Sequence, residues 1–199
     1  REWNSEVQMD WEALDFEYNA KFHEYFSELN RLYKEEPALH EDDFDSSGFQ
    51  WIDFSNSDES IISFVRYNLD KSRMLLFTFN MTPVVRKDYV LGVPFHGFYK
   101  EILNSDAERF GGSNEGNLGG VHSEEAPRFE FPFSLKVTLP PLAVNLYLYQ
   151  EDSPDNVPET SEAVIQVSAE TKDTGEDNPA TTPDSEPTNE TKSAVDEAP

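Results

Sequence analysis

The chain has 199 residues, 40 of them Asp or Glu and 15 of them Lys or Arg, for a formal net charge of -25. Such an acidic surface repels phosphates, which argues against nucleic acid and anionic membranes as partners. No apolar run reaches the roughly 18 residues of a membrane span, and with no cysteine there are no disulfides, thiolate metal sites or cysteine nucleophiles.

The aromatic residues show where a core can form. All 26 precede residue 151, whereas residues 151–199 hold 14 acids, two lysines and six prolines. A segment of that composition buries too little apolar surface to offset its chain entropy, which predicts a disordered acidic Pro/Ser/Thr tail over 151–199. The first 150 residues are enough for a modest core.

In chain order, residues 1–38 read as loop, helix and stop. The opening Arg1-Glu2-Trp3-Asn4 has neither an initiator Met nor a signal-peptide pattern, and reads as a piece of something longer. Phe22, Tyr25, Phe26, Leu29, Leu32 and Tyr33 recur at steps of three and four, predicting one apolar helical face from about residue 20 to 34. Asn19 is the expected N-cap, and Pro37 closes the segment. One such helix needs a surface to cover, and a body preceding residue 1 is the natural candidate.

From residue 49 the period becomes strand-like. Short β-rich runs cover 49–53, 61–67, 75–80, 89–93, 98–103, 133–139 and 142–149, separated by turn signals such as Asn56-Ser57-Asp58, Thr82-Pro83 and Pro140-Pro141. Leu142, Val144, Leu146 and Leu148 alternate with Ala143, Asn145, Tyr147 and Tyr149, which suits a final strand with one buried face. Seven or eight strands without intervening helices predict a mainly β fold, an antiparallel β-sandwich.

Several stretches invite a chemical reading. Phe110 to Gly120 is rich in glycine, but no Lys-Ser/Thr follows and Glu115 would repel phosphate, so a long connection between strands is expected. Glu41-Asp42-Asp43-Phe44-Asp45 lacks the ligand alternation of a calcium loop and reads as a solvated acidic turn. His23, His40, His96 and His122 have no metal-ligand spacing, so no metal is expected. No carboxylate pair stands out as an acid and nucleophile. Trp3 and Trp11 lie in a polar stretch beside Glu2, Asn4 and Asp10. Indoles stack on the C–H faces of sugar rings while carboxylates and amides bind the hydroxyls, although taken alone the stretch favours both tryptophans packing beneath a neighbouring domain.

A series of short motifs adds a resemblance. Arg1-Glu2-Trp3-Asn4, Leu29-Asn30-Arg31-Leu32-Tyr33, Glu36-Pro37-Ala38-Leu39-His40, Gly48-Phe49-Gln50-Trp51-Ile52-Asp53, Asn80-Met81-Thr82-Pro83-Val84, Leu103-Asn104-Ser105-Asp106, Gly111-Gly112-Ser113 and Leu139-Pro140-Pro141-Leu142-Ala143 follow one another in order. Together they resemble the C-terminal region of bacterial-type 1,4-α-glucan (glycogen) branching enzymes of the α-amylase superfamily, over residues 1 to about 150. Ser5 stands where members often carry His.

The resemblance implies a parent with a (β/α)8 catalytic barrel and an all-β C-terminal domain. Such a parent cleaves α-1,4-glucan by retaining double displacement and transfers the segment to a 6-hydroxyl, forming an α-1,6 branch. Its catalytic Asp, Glu and Asp would lie upstream of Arg1, so this chain has no catalytic residue and is expected to be inactive alone. On this resemblance residues 1–38 end the barrel, 39–150 form the β domain and 151–199 are the tail. Trp3, with Glu2, Asn4 and Trp11, becomes the expected substrate-binding set beside the sugar groove. The implied partners are α-glucan and the upstream barrel, with no cofactor, as a cytoplasmic monomer. Trp51 is expected in the core, and the absence of a linear row of exposed aromatics ranks a separate glucan-binding module second. A tail that recruits a partner is a third reading.

Overall fold

The structure is a computed structural model that describes residues 4–152. The predicted tail beyond Asp152, together with Glu2 and Trp3, lies outside these residues. A short 3-10 turn, Trp11–Asp15, leads into helix α1, Glu17–Glu35. Eight strands follow: β1 Phe49–Asp53, β2 Ile61–Tyr67, β3 Met74–Asn80, β4 Arg86–Val93, β5 Phe98–Asn104, β6 Gly120–His122, β7 Phe133–Leu139 and β8 Ala143–Gln150. Six form one sheet in the order β1-β2-β3-β8-β5-β6, and β4 pairs with β7 in a second. All the pairings are antiparallel. The mainly β sandwich expected from the sequence is therefore present.

Its core lies between the sheets. Val65, Tyr67, Met74, Leu76, Tyr99 and Tyr147 of the large sheet meet Leu91, Val93, Leu135, Val137 and Leu139 of the small one. Each fully buried Leu or Val side chain of this kind contributes about 1.5–3 kcal/mol before entropy is counted. Burial pushes the Tyr99 and Tyr147 hydroxyls far above their ordinary range, so both remain protonated. The Tyr99 hydroxyl donates to the Phe95 carbonyl at 2.9 Å.

The final strand departs from the sequence reading because both its faces are covered. β8 sits in mid-sheet between β3 and β5, with Asn145 and Tyr147 turned to the sandwich core. Leu146 and Leu148 join Leu75 and Leu103 on the outer face, where α1 places Leu32 and the flanking Tyr25 and Leu29 over them. Leu142 is not part of the strand: it is exposed, with φ 49° in the turn before it. The short β6 was missed because three residues at the end of a glycine-rich stretch carry no strand period. They pair with Phe98–Lys100.

The helix begins three residues earlier than its predicted start. Its N-cap is Phe16, and Asn19 lies inside the first turn with its side-chain amide donating to the Ala13 carbonyl at 2.9 Å. Along its exposed side Lys21 pairs with Glu17 at 2.7 Å, and Arg31 pairs with Glu28 and Glu35. Pro37 stops it by withholding a backbone N–H and opens a 3-10 turn instead.

Glu36 anchors this end. Its carboxylate is 7% exposed and accepts two hydrogen bonds from Arg73, at 2.8 and 2.9 Å, that join the helix to the β2–β3 hairpin. Bidentate pairs of this geometry are among the stronger hydrogen bonds, although the half-open Arg73 side limits the effect. Glu36→Gln is expected to cost about 1–2 kcal/mol. Urea unfolding of the two chains measures this, and a difference below about 0.5 kcal/mol would place the pair with ordinary surface salt bridges.

Candidate functional site

Helix α1 carries two apolar stripes. Tyr25, Leu29 and Leu32 face the sheet. Tyr18, Phe22, Phe26 and Tyr33 form the other, with Phe22 61% and Phe26 50% exposed and their ring centroids 4.8 Å apart. Trp11, Leu14 and Phe16, all exposed, add apolar surface just before the helix. Single exposed apolar residues are ordinary, but aromatics spaced along a helical stripe mark a contact surface.

A second aromatic surface lies on the outer face of β1, β2 and β3. Cross-strand register sets Trp51 opposite Phe64, and Phe64 opposite Phe77. Centroid separations are 4.9 Å for Phe49–Trp51, 5.8 Å for Trp51–Phe64, 5.3 Å for Trp51–Phe54 and 4.8 Å for Phe64–Phe77. Phe79 continues the array at 5.8 Å from Phe64. One expectation is corrected by this face. Trp51 is not in the core but 46% exposed, because β1 is an edge strand and the outer-face cluster under α1 draws on β3, β8 and β5. An aromatic row does run across the strands, but only its β1 members Phe49 and Trp51 stand exposed, with Phe64, Phe77 and Phe79 half-buried.

Beside this row is a cleft of about 420 Å³ lined by Trp51, Asp53, Phe54, Ser55, Phe129 and Glu130. The bulge in the β1–β2 register after Trp51 turns Asp53 inward. There its carboxylate accepts from the Ser55 backbone N–H and hydroxyl at 2.9 and 3.1 Å. Arg128 lies 4.5 Å over the Phe129 ring. Stacking faces bordered by carboxylates and hydroxyls suit a sugar.

The sequence-predicted set is only partly in view. Asn4 is exposed, and its side-chain oxygen accepts from the Glu6 backbone N–H at 3.0 Å. Trp11 is exposed in the 3-10 turn. Among the described residues no hydrogen bond joins Asn4 to Trp11. The same holds for metals: among the described residues no three His, Asp or Glu side chains are arranged to hold an ion. His96 and His122 both approach Asp152, at 3.2 and 3.5 Å. In the acidic turn, Asp43 pairs with Arg66, and Asp42 and Asp45 bind Ser47.

The glycine-rich stretch is a connection between β5 and β6, and several of its backbone donors are already used. Asp106 accepts from the Ser113 N–H at 2.9 Å, the Ser113 hydroxyl at 2.7 Å and the Glu115 N–H at 3.1 Å. A carboxylate of the chain itself thus fills the place an anion would take. Gly112 is needed for the close approach, since a Cβ there would lie 2.1 Å from the Asp106 carbonyl oxygen. Asp106→Ala leaves two loop N–H groups unpaired and should cost about 2–3 kcal/mol. Chemical denaturation tests this; a loss under about 0.5 kcal/mol would mean something else holds the loop.

The cross-strand row escaped sequence reading because its members come from residues 49 to 79 and meet only through register. The usable signal was the i, i+2 pairing of Phe49 with Trp51 and of Phe77 with Phe79.

Comparison with known proteins adds the following. Residues 51–150 match the family described as alpha amylase, C-terminal all-beta domain. The 1,4-alpha-glucan branching enzyme GlgB of Synechocystis sp. is 43% identical over 162 residues, covering 81% of this chain and 21% of that protein. The enzyme of the same name from Aromatoleum aromaticum is 48% identical over 151 residues, 76% of this chain and 23% of its own. The Aquifex aeolicus protein is 42% identical over 151 residues, 76% and 24% respectively. The chain spans about a fifth to a quarter of the length of these relatives.

Proposed function

Because the chain belongs to the family of α-amylase C-terminal all-β domains, we propose that it is the C-terminal portion of a 1,4-α-glucan branching enzyme. The whole enzyme would cut an α-1,4-glucan chain and join the segment to a 6-hydroxyl, with its catalytic carboxylates on a (β/α)8 barrel outside this chain. It would act in the cytoplasm without metal or organic cofactor, as a monomer. The observation that carries the reading is the double stripe of α1, taken with the identity to branching enzymes. One stripe fastens the helix to the sandwich, and the other is free to bury Phe22 and Phe26 against the barrel that residues 1–38 would complete. The β domain then braces the catalytic body.

This assignment separates two environments for the same helix. Phe26→Glu should leave the stability of the 199-residue chain within about 0.5 kcal/mol. In the full-length enzyme it should remove about 2 kcal/mol or more by placing a charge in a buried contact. Equal small effects in both would show that the stripe faces solvent in the parent. On this reading Trp3, with Glu2, Asn4 and Trp11 behind it, would border the sugar groove. Trp3→Ala in the full enzyme should therefore lower transfer activity more than stability, and parallel losses would make it a packing residue. The 199-residue chain alone should form no branches.

A second reading, that the β domain itself holds α-glucan, is favoured by the exposed Trp51 row and its cleft. It is compatible with the first, since a chain held there stays near the catalytic body. Trp51→Ala should weaken retention of the chain in glycogen-containing native gels by several-fold, each stacked ring contributing about 0.5–1.5 kcal/mol. Unchanged mobility would return the row to a purely structural role.

A further inference from the structure

A second cleft lies where β4, β5 and β7 meet the glycine-rich connection. It measures about 510 Å³, within the roughly 300–1,000 Å³ usual for small-ligand sites. Lys87 of β4, Glu101 and Asn104 of β5, Thr138 of β7 and residues 114–119 of the glycine-rich connection line it.

Its floor is locked. The Asn117 side-chain amide nitrogen shares its two hydrogens among Glu101 Oε1 at 2.9 Å, the Tyr147 hydroxyl at 2.8 Å and the Thr138 carbonyl at 3.0 Å, and the amide oxygen accepts from the Thr138 N–H at 2.7 Å. Asn145, fully buried, donates to the same Glu101 oxygen at 2.7 Å. Asn104 holds the Glu115 carbonyl at 2.6 Å, with Gly116 so close that a Cβ would meet the Asn104 amide at 2.6 Å.

The rim is different. Lys87 reaches only the Glu115 carboxylate, at 3.9 Å. Among the described residues the Thr138 hydroxyl and the Asn114 amide nitrogen have no hydrogen-bond partner. Two rim residues hold left-handed backbone, Asn114 at φ 63° and Leu118 at φ 52°. Leu rarely adopts that conformation, and here it stands fully in solvent amid glycines. Such strain persists only where the surroundings over-determine it, and it clusters at binding sites.

We propose that this cleft is a further carbohydrate subsite, taking a short neutral segment of α-glucan; it rests on the branching-enzyme reading for the identity of the sugar. The chemistry selects a hydroxyl-rich neutral ligand. Glu101 and Glu115 repel anions, and Lys87 beside Glu115 disfavours cations. The free rim offers donors at Lys87 and Asn114 and acceptors at Glu115 and Thr138. A sugar hydroxyl both donates and accepts, so it satisfies the two kinds at once. Leu118 supplies an apolar contact for ring C–H groups.

The test is an NMR titration of the ¹⁵N-labelled 199-residue chain with maltoheptaose. Backbone amides of residues 114–119 are expected to shift saturably, and to shift equally in Trp51→Ala. In Leu118→Asp and in Thr138→Val, whose spectra elsewhere report an intact fold, affinity at these amides should fall by about tenfold, or 1.4 kcal/mol. Shifts confined to the Trp51 face, or unaltered affinity in both rim variants, would overturn the subsite. The branching-enzyme reading fails separately, if the full-length enzyme forms no α-1,6 linkages from amylose.

Discussion

The insertion of β8 between β3 and β5 is the pairing on which the rest of the domain depends. It is the last strand among the described residues, yet both its edges are hydrogen-bonded and both its faces are buried. One face closes the sandwich through Tyr147, and the other gives α1 its seat through Leu146 and Leu148. The sheet therefore completes only when the chain has reached residue 143, and helix packing waits on that step. Such long-range closure is entropically slow, so this domain is expected to fold late relative to anything preceding it.

The asymmetry of the outer sheet face follows from the same placement. α1 sits over β3, β8 and β5, leaving β1 and β2 open. The uncovered part keeps its rings in contact with one another, from Phe49 to Phe79, so the aromatics partly shield each other without a covering helix. Phe64 and Phe77 accordingly stay half-buried while Trp51 at the edge stands open. An edge tryptophan propped by its neighbours is a rigid platform, and binding to it orders few further rotamers.

Period and turn chemistry carried much of the architecture into view before any coordinates. The helix over residues 20–34 and seven of the strands are local patterns, and the helix stop at Pro37 is local chemistry. What stayed hidden was non-local. β8 alternates Leu and Val with Asn and Tyr, a pattern that reads as one buried face; only its central position shows that both sides are covered. Trp51 reads as a core residue because apolar residues in strands usually are, and its exposure depends on where the preceding helix, Glu17–Glu35, comes to rest. Asn117 looked like loop composition, yet its side chain ties Glu101, Tyr147 and Thr138 together across three segments.

Charge ties these surfaces to one class of ligand. A net charge of -25 opposes anions everywhere, and at the one glycine-rich loop that might have accepted a phosphate, Asp106 already takes the Ser113 and Glu115 N–H groups. Neutral polyols are indifferent to such a field, being attracted through stacking and short-range hydrogen bonds that it does not oppose. On the proposed readings the Trp51 row would supply the first and the Lys87–Thr138 rim the second. On those same readings the acidic surface would work as a filter, opposing phosphate-bearing metabolites and nucleic acids at both clefts while leaving the approach of an uncharged glucan unhindered.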